Sequence, residues 1–384
     1  MSKRIFWLAG ENSGDLHASL VLQELTKRQP DWQNYGIGGL GMQLYGFHSL
    51  FPFARFSVMG FWEVLKHISF FLKVEKSIRN SFLKNPPDLV VLVDYPGLNM
   101  RIAKMASNMK IPVLYFISPQ FWAWKYNRIF KMKKNTNHVA FILPFEEKYF
   151  KKHGVKASYV GHPIAEEIKI KFDKKQFAEK HELDVNKTWL GFLPGSRDNE
   201  IKKMLPIYLQ TIKDFDPEKH EFLISKANSV SDKIFSKILQ NAKNPNPVII
   251  DSDRYEMMKH CDLLVVTSGT ATIETAFIGT PFIIVYKTSK ISYQLGKRFI
   301  KIDRIGLPNI VLDKCVVPEL IQSEVNAVNI AEKMKNILHS ESEYKQIMDD
   351  LRKLHEILGS KSVSNEVSNI IEELLTGNSL EMIE

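Results

Sequence analysis

Cysteine is nearly absent, with two in 384 residues, Cys261 and Cys315. They lie in different segments without metal-like spacing, so neither a disulfide framework nor a zinc site is expected, only two buried thiols. Long apolar runs are missing too. No stretch approaches the ~20 uninterrupted apolar residues that a membrane span needs. Met1-Ser2-Lys3-Arg4 runs directly into strand-like Ile5-Phe6-Trp7-Leu8-Ala9 with no cleavable leader, which leads us to expect a cytoplasmic protein. No repeat of solenoid length and no low-complexity tract occurs. Acidic charge is in deficit: 43 Asp and Glu against 52 Lys and Arg leave a formal charge of +9. That balance favours an anionic partner, whether nucleic acid, acidic lipid or a phosphorylated substrate, and does not choose among them.

What is present is globular composition, 44% hydrophobic and 25% charged, at a length that suggests about two domains. Short β-branched runs alternate with helical patterns. After the first strand come Asp88 to Asp94, Ile111 to Ile117 and His138 to Leu143, a pattern that predicts an α/β fold with a parallel sheet covered on both faces. A charged, proline-free stretch from Glu166 to Lys187 follows. The alternation then restarts at Trp189 to Leu193, His220 to Ser225, Val248 to Asp251, Asp262 to Thr267 and Pro281 to Tyr286, as in a second α/β domain. From about Val325 the pattern is helical to the end.

Ligands of open α/β sheets bind beyond the carboxyl ends of the strands, and several polar, glycine-bearing turns fall there. Ser268-Gly269-Thr270-Ala271 follows a strand and opens a helix, so its backbone N–H groups suit an anion, with Glu274 one turn on within reach of ribose hydroxyls. An ordinary strand-to-helix turn with a surface Glu has the same spacing. Gly10-Glu11-Asn12-Ser13-Gly14-Asp15 follows the first strand and is not GxGxxG, which speaks against a dinucleotide. Asp94-Tyr95-Pro96-Gly97-Leu98-Asn99 puts a carboxylate where a general base would stand, or where a turn acid would. Pro194-Gly195-Ser196-Arg197 offers a guanidinium for a diphosphate, or a surface Arg in a tight turn. Gly306-Leu307-Pro308-Asn309 is a loop whose amide suits a base or phosphate contact.

Taken in order, these segments resemble the lipid-A-disaccharide synthase family. Also matching are Val58-Met59-Gly60, Ser118-Pro119-Gln120-Phe121-Trp122-Ala123-Trp124, Leu143-Pro144-Phe145-Glu146 and Tyr159-Val160-Gly161-His162. The resemblance covers essentially the whole chain; Asn12 stands where Ala is usual, and Tyr95, Gly97 and Leu98 vary the Asp turn. It implies a GT-B fold, two Rossmann-like domains facing across a cleft. Residues 1–170 would take acceptor and lipid, residues 185–343 the UDP donor, and helices in 344–384 would return to the first domain. The implied reaction is inverting transfer of 2,3-diacylglucosamine from UDP to the 6-hydroxyl of 2,3-diacylglucosamine 1-phosphate, giving a β-1′,6 disaccharide 1-phosphate. Asp94 is then the first candidate base and Glu11 the second acid. Arg197 with Ser268, Gly269 and Thr270 would hold the departing UDP, Glu274 the ribose, and Asn309 the nucleotide side. No Asp-x-Asp segment is read as a metal site, so metal independence and no cofactor are expected.

Acylated substrates require contact with the cytoplasmic face of the inner membrane, without a span. Phe61, Val64, Leu65, Ile68, Phe71, Leu72, Ile78 and Phe82 fall at helical spacing, with Val58, Met59, Trp62 and Phe70 off that stripe. The excess apolar surface, with Lys66, Lys73, Lys76 and Arg79, suits an acidic membrane interface, or a helix with one face in the core. Lys125, Arg128, Lys131, Lys133 and Lys134 follow Trp122 and Trp124 and suit an acceptor phosphate and headgroups, or a solvated helix face. Asn12, Ser13 and Asn99 complete the acceptor-side candidates. An oligomer is compatible with all of this, and no nucleic acid is expected. Two rivals remain: another GT-B enzyme, such as a lipid-linked N-acetylglucosaminyltransferase or a UDP-sugar 2-epimerase, and a basic non-catalytic module binding nucleic acid or membrane.

Overall fold

The computed structural model describes residues 2–57, 68–123, 125–241, 246–288 and 304–377. Two compact units emerge, Met1–Glu166 with Gly359–Glu384, and Glu167–Leu358. The first contains strands β1 (Arg4–Ala9), β2 (Gln33–Ile37), β3 (His48–Ser49), β4 (Leu89–Val93), β5 (Val113–Phe116), β6 (His138–Phe141) and β7 (Ala157–Tyr159). The second contains β8 (Thr188–Leu193), β9 (His220–Ser225), β10 (Val248–Ile250), β11 (Leu263–Thr267), β12 (Phe282–Tyr286) and β13 (Glu319–Ile321). The helices that bear on function are α1 (Asn12–Arg28), α2 (Ile68–Lys84), α3 (Pro96–Asn108), α4 (Arg128–Asn135), α5 (Asp198–Ile212), α6 (Arg254–His260), α7 (Thr270–Ile278), α8 (Glu341–Leu358) and α9 (Val363–Thr376).

Strand order in the first sheet is β3-β2-β1-β4-β5-β6-β7 and in the second β10-β9-β8-β11-β12-β13, all pairs parallel. Helices on both faces explain why β4 and β11 read as unbroken buried runs. In each sheet the order reverses once, between β1 and β4 and between β8 and β11, and at such switch points neighbouring loops part to leave a crevice. Four of the five turns singled out in the sequence follow these strands; Gly306 to Asn309 precedes β13 instead.

Strand β2 escaped the sequence reading because its buried Asn34 breaks the apolar pattern. The Trp7 indole, donating to Asn34 Oδ1 at 2.9 Å, makes that burial tolerable. The return to the first unit also comes later than residue 344. Helix α8 stays with the second unit, where Tyr344 Oη donates to the Asp262 carbonyl at 2.9 Å and the His355 ring stacks on Phe277 at 4.2 Å. Only α9 returns. Its Val363, Val367, Ile370 and Ile371 join the core formed with Val21, Leu22 and Leu25 of α1, while Arg28 donates to Asn369 and Asn365 at 2.7 and 2.8 Å.

Candidate active site

At the first switch point β1 runs through Gly10 and Glu11 into α1. Asp15, one turn in, is buried, and its carboxylate accepts from the amides of Gly39, Gly41 and Met42 at 2.6, 3.0 and 3.3 Å. It ties down a loop, whereas Glu11, Asn12 and Ser13 are exposed.

Strand β4 ends in two left-handed residues, Asp94 at φ 45° and Tyr95 at φ 44°, and β5 is followed by Ile117 at φ 65°. For residues with a Cβ, and above all a β-branched one, this conformation costs about 1–3 kcal/mol each and persists only where neighbours over-determine it. Here they do. The Asp94 carbonyl accepts from Asn99 Nδ2 at 2.7 Å and Tyr115 Oη at 2.8 Å, and its N–H donates to the Phe116 carbonyl at 2.9 Å. The Tyr95 ring occupies the space beside Gly10 that any Cβ there would enter, at 2.6–2.8 Å. Asn99 is fully buried in holding this turn, also bonding the Val93 carbonyl at 3.0 Å, so it supports the site from beneath instead of meeting an acceptor.

Burial raises the Asp94 carboxyl to about 6, and the negative charge of Glu11 adds to the effect; His17, the Tyr95 amide and Arg128 oppose it. An acid poised there can exchange a proton near neutrality. Arg128 opens α4, and its guanidinium is lowered by burial while Tyr115 and Asp94 act in the other direction. Asp94, Glu11 and Arg128 therefore share one electrostatic neighbourhood. His17, on the second turn of α1, belongs to it too and carried no sequence signal beyond its distance from Ser13.

Trp122 is buried edge-on to Phe145 at 4.9 Å, and its indole N–H donates to Glu146 Oε1 at 3.1 Å, so it is no lipid contact. Lys125 is exposed at φ 55°. Val58, Met59 and Trp62 lie outside the described residues, as do Phe61, Val64, Leu65, Lys66 and Trp124. In α2 the buried face is Phe71, Val74, Ile78 and Phe82, while Leu72, Lys73, Lys76 and Arg79 are exposed. Phe70, placed off the stripe in the sequence, packs with Phe56 and Phe71 at 5.3 and 5.5 Å. Among the described residues no helix is long and apolar enough to cross a membrane.

The second switch point opens into a cavity of about 570 Å³, lined by the turns after β8, β9, β10 and β11. Arg197, Ser268, Gly269, Thr270 and Glu274 all line it. The Ser268 amide donates to the Val285 carbonyl at 2.8 Å, but among the described residues nothing accepts from the amides of Gly269, Thr270 and Ala271, which begin α7. Gly269 has φ 161°, an extended value open to any residue, and a Cβ on it would have no atom within 4 Å. Neither backbone nor packing demands glycine there. Glu274 is buried, and its Oε1 accepts from Arg254 Nη2 at 2.8 Å and Tyr255 Oη at 3.3 Å. Arg254 and Tyr255, which the sequence reading missed, follow β10 in the polar turn Asp251-Ser252-Asp253. Their place beyond a strand end was the available signal.

That turn is itself an Asp-x-Asp segment, although it was not read as a metal site. Asp251 lines the cavity, but the Asp253 carboxylate is committed to Lys180 and to His181 at 3.0 Å. Asn309 is not at the cavity. It is 1% exposed, with Nδ2 donating to the Val317 carbonyl at 2.8 Å and Glu319 at 2.7 Å, and Oδ1 accepting from Val316 and Val317 at 2.7 and 3.0 Å. Its side chain is spent on pinning a loop.

The chain matches the family described as lipid-A-disaccharide synthetase over residues 5–373. It is 36% identical to the lipid-A-disaccharide synthase of Geobacter metallireducens, covering 97% of this chain and 98% of that one. Identity to the enzyme of the same name from a Sulfurihydrogenibium species is 37%, again over 97% and 98%. In fold alone it is similar to Acinetobacter baumannii MurG, with a TM-score of 0.60 at 12% identity over 97% and 99% of the two chains. It is likewise similar to UDP-GlcNAc 2-epimerase from Neisseria meningitidis, with 0.61 at 15% over 98% and 99%. A match across nearly the full length, on two parallel sheets whose switch-point turns carry the Asp94 and Arg197 segments, places this chain in the lipid-A-disaccharide synthetase family of GT-B glycosyltransferases.

Proposed function

We propose that this glycosyltransferase moves 2,3-diacylglucosamine from its UDP derivative to the 6-hydroxyl of 2,3-diacylglucosamine 1-phosphate, with inversion. The bond between the anomeric carbon and the diphosphate oxygen breaks and its electron pair leaves with UDP. The acceptor oxygen bonds that carbon from the opposite face, and its proton passes to the base. Asp94 is that base, supported by its strained turn and a carboxyl raised to about 6. Glu11 orients the acceptor, aided by Asn12 and Ser13, and Arg128 with Lys125 balances its phosphate.

The observation that carries the donor side is the grouping of unbonded Gly269, Thr270 and Ala271 amides, Arg197 and Glu274 around one cavity. Amides at a helix start favour an anion, and a guanidinium stabilises charge developing on the leaving diphosphate. Glu274, braced by Arg254, takes the ribose hydroxyls. No role in the nucleotide site is assigned to Asn309, given where its bonds go. The same placement supports a division of labour with the acceptor in residues 1–170 and the donor in 185–343. Exposed Leu72, Lys73, Lys76 and Arg79 support a peripheral contact with the inner membrane.

The test is UDP release by purified protein given both acylated substrates, with and without a chelator. UDP formed only with both, and undiminished by the chelator, is expected. Conversion of a soluble UDP-sugar without acceptor would favour an epimerase, and salt-sensitive polyanion binding with no UDP release a non-catalytic role.

A further inference from the structure

The turn after β8 would be a second anion site, since it too feeds a helix, α5, but one side chain already fills it. Glu200 Oε2 accepts from the amides of Ser196 at 2.9 Å and Arg197 at 3.2 Å, while Oε1 pairs with Arg197 Nη1 at 3.1 Å. Gly195, at φ 107°, lies so close that a Cβ there would collide with the same carboxylate. Arg197 is otherwise 83% exposed on the cavity rim, so this pair is what restrains its guanidinium. A carboxylate on those amides also repels a second anion. Of the two turns flanking the switch point, one is left open to phosphate and the other is closed by Glu200.

We propose that Glu200 is a positioning residue: it occupies the competing anion site at the start of α5, committing the donor's diphosphate to the Gly269–Ala271 turn, and holds Arg197 at the rim to meet the leaving group. This rests on the reading of Arg197 as the diphosphate clamp. Glu200 touches no reacting atom and acts through Arg197 and two backbone amides.

A double-mutant cycle tests it on the full chain, with folding checked by circular dichroism and melting. Arg197→Ala is expected to lower kcat on the order of 10²-fold. Glu200→Ala should lower kcat about tenfold with donor KM little moved, and the double variant should match Arg197→Ala within about twofold, because the two share one effect. Glu200→Gln, which keeps an acceptor for both amides, guards against loss of fold and should lose kcat like the alanine variant. Multiplicative losses in the cycle, or unchanged kcat in folded Glu200→Gln, would overturn the positioning role. Inorganic pyrophosphate separates this from failure of the Arg197 reading. Glu200→Ala should bind it about tenfold more tightly than wild type as the second site opens, and unchanged affinity would overturn the site-filling claim whatever Arg197 does. A silent Arg197→Ala beside tightened pyrophosphate binding would remove the clamp from the donor reading and with it the positioning half of the proposal.

Discussion

At the first switch point β4 ends in two residues forced into left-handed backbone, Asp94 and Tyr95; at the second β11 ends in a glycine without strain and amides without acceptors. The contrast follows from what each place must hold. A proton acceptor has to be fixed in direction and partly removed from water, and a stiff, over-bonded turn does both, raising Asp94 to about 6 by burial. An anion needs donors pointing into space and room to approach, which bare amides and a missing side chain supply. If this is right, damage to the Asp94 turn should affect turnover with nucleotide affinity kept, and damage to the Gly269 to Ala271 turn should affect nucleotide affinity.

The largest effect is expected from Asp94→Asn, which keeps size but cannot take a proton. Loss of kcat should be on the order of 10²-fold or more, with UDP affinity retained. In the wild type the base works only when ionised, so kcat/KM should rise with pH through about 6 and then level off, and the variant should lack that limb. Near-normal turnover would pass the base role to Glu11. Joint loss of UDP binding would reduce Asp94 to a turn residue and erase the contrast.

A smaller effect separates the two glycines of the donor cavity. Gly269→Ala adds a methyl where φ is permissive and no atom stands within 4 Å, so melting should be unchanged while UDP binds about tenfold more weakly, about 1.4 kcal/mol. Gly195→Ala meets φ 107° and the Glu200 carboxylate, so it should lower stability by about 1–3 kcal/mol. Isothermal titration and calorimetry on both variants decide. Unchanged UDP affinity in Gly269→Ala would leave that glycine without a reason.

Much of this was legible in the sequence because parallel strands write themselves as apolar runs and their carboxyl ends as polar turns. Asp94, Arg197 and the Ser268 to Glu274 segment were found that way. What was not legible is where side chains spend their hydrogen bonds. Asn99 and Asn309 look like ligand amides as text, yet both are buried and bonded to backbone, and Trp122 looks like an exposed anchor but lies against Glu146. Arg254 was missed for the converse reason. Its strand, β10, was read, but the turn beyond it lacks glycine, and only the pairing with buried Glu274 shows what the guanidinium does.

The smallest effect on turnover is expected at the other raised acid of the first unit, which sharpens what is special about Asp94. Glu146 is fully buried, with Oε1 accepting from Ser118 Oγ at 2.6 Å and Trp122 Nε1 at 3.1 Å, and burial raises it to about 8 despite those donors. A folded-state value above the ordinary 4.5 means the native protein keeps a proton that the unfolded chain gives up. The resulting stability is fully present below that ordinary value and is lost progressively as pH climbs to about 8. Glu146→Gln cannot ionise, yet its carbonyl oxygen can accept both bonds. The difference in melting temperature between variant and wild type should therefore shift in the variant's favour from pH 5 to pH 8. Any fixed cost of fitting the amide nitrogen moves the difference at every pH and leaves its slope alone. Parallel melting curves across that window would show that Glu146 is ionised in the native state. Since this carboxyl ties its own turn to Ser118 and Trp122 of the loop after β5, turnover at pH 7 should change far less than in Asp94→Asn. The same chemical group in the same unit would then act in catalysis at one position and in folding at the other.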